Sequence, residues 1–156
     1  MMQSFPPTCI LRHRRENLKK CSLRGLESHP GFQFFRYPTS IPLPNLSNYI
    51  LLAMDGPPLQ QTDSSKGLFI LDATWRHAES MRKFIDGHTE MEKRSIPSGF
   101  RTAYPRRQED CPCPEAGLAS IEAIYIAYKL LGRSTEGLLD AYYWKEVFLS
   151  QNFQEK

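Results

Sequence analysis

A chain of 156 residues with ordinary apolar (40%) and charged (24%) fractions fits one compact domain. At that length it buries a core that needs no disulfide or metal staple. No apolar run reaches the roughly 18–20 residues of a membrane helix, and the opening MMQSFPPTCILRHRREN lacks the apolar core of a secretory signal, which together predict a cytoplasmic protein.

The net charge of +3 is unevenly spread. Arg12, Arg14, Arg15, Lys19, Lys20, Arg24 and Arg36 crowd the first segment against only Glu16 and Glu27. Arg101, Arg106 and Arg107 form a second cluster, with Lys93 and Arg94 just before it. Such stripes suit a phosphate backbone, or are simply a solvated basic face.

In chain order, CILRHRREN reads as a short strand running into a basic loop. LKKCSLRGLES reads as a helix or turn ended near Gly31. FQFFRYP alternates as a strand does. After the proline-rich PTSIPLPNLS come two continuous apolar runs, YILLAM and GLFILDATW. Short apolar runs bounded by turn signals indicate parallel strands covered on both faces. TWRHAESMRKFI has helical spacing, with Trp75, Ala78, Met81 and Ile85 on one side. EKRSIPSGFRTAYPRRQ reads as a strand or extended segment, and DCPCPEAG as a breaker-rich loop. LASIEAIYIAYKLLG is the clearest helix, with Leu118, Ile121, Tyr125, Tyr128 and Leu131 in register and Gly132 as its cap. STEGLLDAYYWKEVFLSQN is expected to be one last helix carrying Leu138, Leu139, Tyr142 and Phe148. Strands alternating with helices predict an α/β fold with a mainly parallel sheet and flanking helices.

The cysteines are Cys9, Cys21, Cys111 and Cys113. Even with His13 and His29 their spacing fits no standard zinc pattern, so reduced thiols and no metal are expected.

Asp72 ends an apolar strand just before a helix. Ligands of open parallel sheets bind at the carboxyl ends of strands, so Asp72 is a candidate base there; spacing alone favours the helix N-cap, accepting from the N–H of Thr74 or Trp75, and both roles can coexist. Trp75 reads as an aromatic platform for a base or as core. Ser120 and Glu122 open the best helix, where free N–H groups hold a carboxylate or are simply capped. No GxGxxG, Walker loop, HExxH or GxSxG is present, so the common nucleotide-binding and hydrolase readings lack support.

LDATWRHAESM resembles the signature of the DTW-domain family, Asp-x-Thr-Trp followed by a helix. IPSGFRTAYPRRQ and GLASIEAI resemble that family's arginine-bearing segment and its Leu-Ser/Thr-x-x-Glu-Ala helix start. RHRRENLKKCSLRGLE and YYWKEVFLSQN are similar to the first and last motifs of the related ribosome-biogenesis aminocarboxypropyl transferases, with Trp144, Phe148, Leu149 and Asn152 matching the ending. The matched blocks span about residues 12 to 152. Departures are Asp-Ala-Thr-Trp for the commoner Asp-Gly-Thr-Trp, no N-terminal cysteine cluster, and Tyr104-Pro105 in place of an Asn-Pro motif.

The resemblance implies a SPOUT-like fold with a C-terminal trefoil knot around the cofactor. Residues 1–45 would be a small basic RNA-contacting segment and 46–156 the S-adenosylmethionine-binding domain. It implies S-adenosylmethionine as donor and N3 of a uridine or pseudouridine as acceptor, in tRNA or rRNA, with tRNA slightly favoured. By motif position Asp72 is the catalytic base. Ser22, Met54, Trp75, Phe100, Ala103 and Ser120 would contact the donor. Arg12, Arg14, Arg15, Lys19, Lys20, Arg24, Arg101, Arg106 and Arg107 would grip RNA. Competing readings are an RNA methyltransferase of the same fold, a catalytically inert RNA-binding assembly factor, and a small metal-binding module.

Overall fold

The computed structural model describes residues 5–13, 23, 25–38, 43–53, 56–73, 75–103 and 118–153, apart from the side chains of Trp75 and Arg76. In chain order these form strand β1 (Thr8–His13), β2 (Phe32–Tyr37), β3 (Tyr49–Leu52) and β4 (Gly67–Asp72), helix α1 (Trp75–His88), strand β5 (Glu92–Arg94), helix α2 (Ser120–Leu130) and helix α3 (Lys145–Asn152). Among the described residues the strands make one sheet in the order β2-β1-β4-β3-β5, with every pairing parallel. The α/β class expected from the alternating apolar runs is the class observed.

The runs read as doubly covered strands are buried on both faces. Ile10, Ile50, Leu68 and Ile70 pack against Ile121, Ile124, Tyr125 and Tyr128 of α2 and against Phe148 of α3. Cys9, Leu11, Leu51 and Phe69 face the other way, onto Met81 and Ile85 of α1. Each such side chain taken from water contributes about 1.5–3 kcal/mol before entropy is subtracted, so the two layers hold the sheet between them. Cys9 is a buried free thiol whose pKa is raised by desolvation.

The connection from β1 to β2 carries Leu23 and Leu26 into the α2 layer. The connection from β4 to β5 carries α1 over the opposite face. The chain therefore leaves β1 and β4, neighbours at the sheet centre, in opposite directions. The gap between their carboxyl ends is a topological switch point, where open α/β sheets bind ligands. The sheet also crosses residue 45, because β1 pairs directly with β4 from Cys9↔Phe69 to Arg12↔Asp72.

α2 ends as the sequence predicts. Gly132 takes φ +73, its N–H bonds Lys129 O, and the Arg133 N–H bonds Tyr128 O at 2.9 Å, the paired bonds of a Schellman cap. The final helix is shorter than expected. Residues 136–141 and 143–144 are turns, and helix begins only at Lys145. Gly137 sits at φ +80, outside helical geometry, and short bonds such as Leu138 N–H to Thr135 O and Tyr142 N–H to Leu139 O replace the helical ladder. Leu138, Leu139 and Tyr142 are buried nonetheless; turns suffice to aim them inward. Among the described residues no helix is long and apolar enough to cross a membrane.

Candidate active site

At the carboxyl end of β1, alternation puts Arg12 on the α2 side of the sheet and His13 on the α1 side. Arg12 is the register partner of Asp72, the last residue of β4. The Arg12 Nε donates to Asp72 Oδ2 at 3.1 Å, and the Ser120 hydroxyl donates to Asp72 Oδ1 at 3.1 Å. Asp72 is 4% exposed. Arg12 also donates from Nη1 to Glu27 Oε2 at 3.0 Å, and its guanidinium lies 4.7 Å from the Phe34 ring centroid. Glu27 in turn accepts the Gly25 N–H at 2.9 Å. Burial alone would raise the Glu27 pKa, but the backbone N–H groups of Glu27 and Gly25 and the Arg12 guanidinium outweigh it and hold the carboxyl below its ordinary value.

The opposite wall is the start of α2. Ser120 is its first helical residue, so the hydroxyl that reaches Asp72 stands at the positive end of the helix dipole. The Glu122 carboxylate, fully buried, accepts from the Ala119 and Ala103 N–H groups and from the Thr102 and Tyr142 hydroxyls. Below it Asn152 clasps the Arg101 backbone, accepting its N–H at 2.7 Å and donating to its carbonyl at 2.9 Å. Phe100 packs on Phe153 with ring centroids 5.8 Å apart. On the far side of the sheet the buried His13 stacks on His77 at 3.9 Å and approaches Tyr37 at 5.7 Å.

The structure thus brings together Asp72, Ser120 and Arg12. Phe100 and Ala103 lie in the segment tied to the start of α2 by Glu122. Two sequence readings take a different shape. Arg12, read as part of a phosphate-gripping stripe, has its guanidinium engaged by two carboxylates and a ring, because β1 runs beside β4. In the second basic cluster Arg94 pairs with the buried Asp63 at 3.1 Å and with Glu92 at 2.8 Å, and Lys93 lies 3.8 Å from Asp86; Arg101 is exposed. Ser22, Met54, Arg14, Arg15, Lys19, Lys20, Arg24, Arg106, Arg107, Cys21, Cys111 and Cys113 lie outside the described residues, as does the side chain of Trp75.

Glu27, Thr102, Tyr142 and Asn152 join the site without having been assigned a place in it from the sequence. A Glu at the third position of a helix signals capping, and that much of Glu122 was legible. Its bonds to residues 19 and 20 positions away carry no local signal.

The arrangement offers an oriented carboxylate at a strand end, a hydroxyl at a helix start, and an aromatic and alanine wall. No family model matches the chain, and no curated protein does. The fold is similar to that of the SAM-dependent rRNA:acp-transferase Tsr3 from Vulcanisaeta distributa, with a TM-score of 0.68 and 23% identity over 93% of this chain and 77% of that one. At that identity the likeness is one of fold, and it extends over nearly the whole chain.

Proposed function

We propose that this chain is an S-adenosylmethionine-dependent transferase that moves the 3-amino-3-carboxypropyl group to N3 of a uridine or pseudouridine in structured RNA. The observation that carries the reading is Asp72, held by Arg12 and Ser120 at the switch point between β1 and β4. It lies in a fold like that of an SAM-dependent rRNA:acp-transferase. Of the two RNA classes that the sequence left open, rRNA is the one this likeness favours.

The residues present suit the donor. A carboxylate complements a sulfonium or an ammonium group, and the start of α2 complements a carboxylate. Phe100, Ala103 and Ser120 would line the donor's place, joined by Ser22, Met54 and Trp75. When bound, S-adenosylmethionine supplies a carbon activated by the sulfonium, whose transfer leaves methylthioadenosine. The chain's own part is positional and acid–base. Asp72 accepts the N3 proton of the target base, a role that suits a carboxylate oriented by Arg12 and Ser120. Arg14, Arg15, Lys19, Lys20, Arg24, Arg101, Arg106 and Arg107 hold phosphates, which position an RNA without reading its sequence. The target is an unpaired base, whose N3 edge is open. A SPOUT-type trefoil knot around the donor belongs to this reading, as does a cytoplasmic location.

Calorimetric titration with S-adenosylmethionine and methylthioadenosine tests the donor site. Nucleoside mass spectrometry of rRNA and tRNA incubated with protein and donor then tests the product. Binding of both ligands and a gain of one aminocarboxypropyl group bear the proposal out. A gain of one methyl group makes the chain a methyltransferase of the same fold. Salt-sensitive RNA binding with no donor binding makes it a non-catalytic RNA-binding protein.

A further inference from the structure

Glu122 does more than cap a helix. Its side chain is fully buried, and no described residue brings it a cation. Its partners are all neutral donors. Oε1 accepts from the Ala119 N–H at 2.8 Å and the Thr102 hydroxyl at 2.6 Å. Oε2 accepts from the Ala103 N–H at 2.7 Å and the Tyr142 hydroxyl at 2.9 Å. A carboxylate is costly to bury, and capping α2 needs only the Ala119 bond. The other three reach two separate stretches of chain, residues 102–103 and the turn carrying Tyr142.

Those stretches matter through what lies beside them. Ala119 precedes Ser120, whose hydroxyl holds Asp72 Oδ1 at 3.1 Å. Ala103 ends a segment whose other end, Arg101, is clasped at both its N–H and its carbonyl by Asn152. Asn152 is itself tied to the Phe148 carbonyl at 2.9 Å. One carboxylate therefore sets the distance between the 101–103 wall and the Ser120–Asp72 pair, and one amide anchors the outer end of that wall.

We infer that Glu122 is a positioning residue for the transfer, holding the donor-side wall in register with Asp72, with Asn152 as its second anchor. The inference rests on the transferase reading above. It makes a sharp statement about an isosteric change. Each Glu122 oxygen accepts one backbone N–H and one hydroxyl. In Glu122→Gln one oxygen becomes an NH2. A hydroxyl can turn and accept from it, whereas a backbone N–H cannot. Either orientation of the amide thus leaves Ala103 or Ala119 facing a donor, and the link that Glu122 makes between the wall and the start of α2 is broken at one end.

The experiment compares the full chain with Glu122→Gln, Asn152→Ala and Ile85→Ala. The last empties a buried site in the opposite layer and serves as a control of lowered stability away from the site. Amide exchange of Ala103 and Ala119, the dissociation constant for S-adenosylmethionine, the single-turnover transfer rate and the RNA dissociation constant are measured well below the melting temperatures. Glu122→Gln is expected to speed exchange at one of the two amides and to weaken donor binding by roughly tenfold, the scale of one lost buried hydrogen bond. It slows transfer further and leaves RNA affinity unchanged. Asn152→Ala is expected to weaken donor binding in the same direction, while Ile85→Ala lowers the melting temperature alone. Normal donor binding and transfer in Glu122→Gln would reduce Glu122 to a structural group. If that variant does not fold, normal donor binding and transfer in Asn152→Ala overturn the inference. A wild-type chain that binds no donor overturns the transferase reading and the positioning role with it, a result distinct from a loss confined to the inference.

Discussion

Arg12 and Asp72 stand opposite each other on adjacent parallel strands and close a 3.1 Å ion pair with 11% and 5% of their side chains exposed. Removing one partner of so buried a pair takes the opposite charge from beside the other, at a cost of up to about 3–5 kcal/mol. Arg12→Met is expected to lose stability on that scale in urea denaturation. Arg12→Met combined with Asp72→Asn should recover part of the loss. A loss for Arg12→Met that stays below about 1 kcal/mol would place this pair with weak surface pairs.

Asp72→Asn separates orientation from proton transfer. Asparagine keeps the side chain's size but not its charge, so S-adenosylmethionine should still bind, less tightly than to the unaltered chain. The amide cannot accept the N3 proton, and a positioned general base contributes about 100-fold or more. Single-turnover transfer should fall by at least that factor. A rate near that of the unaltered chain removes Asp72 as the base.

Glu27 makes the site's support sensitive to acid. Its pKa in the folded chain lies below the ordinary 4.5, so its contribution to stability is fully present above that value and is lost as pH falls through the lower folded value. The carboxylate is 42% exposed, so the effect is small, at most about 1 kcal/mol. The difference in melting temperature between the unaltered chain and Glu27→Gln should be greatest near neutrality and should shrink as pH is lowered below 4.5. A difference that grows with acid would contradict this linkage.

Gly67 is required by a ring. It is the register partner of Tyr49, and a Cβ at position 67 would clash with the Tyr49 ring, 2.6 Å from its Cδ2 and 2.7 Å from its Cζ. Tyr49 cannot swing clear without losing the 2.7 Å bond from its hydroxyl to the Pro7 carbonyl. Gly67→Ala should cost about 1–3 kcal/mol by overpacking. Gly67→Ala together with Tyr49→Leu should cost less than the sum of the two single changes. Strict additivity in denaturation would show that the ring and the new methyl do not meet.

Local patterns carried much of the fold. The four strands from β1 to β4, and the helices α1 and α2, match apolar runs and helical spacings that could be read directly. Gly132 marked the end of α2. The last helix was read too long because apolar spacing alone does not distinguish a helix from successive turns. Leu138, Leu139 and Tyr142 are buried from turns, and Gly137 at φ +80 is the departure from helix. Within the site, the strand-end carboxylate and the helix-start serine were legible because each is a local feature.

The sequence by itself determined which segments are strands and which are the first two helices, because those follow from periods of two and 3.6 and from glycine and proline punctuation. Only the tertiary structure decided which ends meet. Arg12 reads as one member of a basic run until β1 is placed beside β4, where it becomes the partner of Asp72. Glu122 reads as a helix cap until residues 102–103 and Tyr142 converge on it. Strand order and the meeting of distant segments arise from packing across the whole sheet, and no local spacing encodes them.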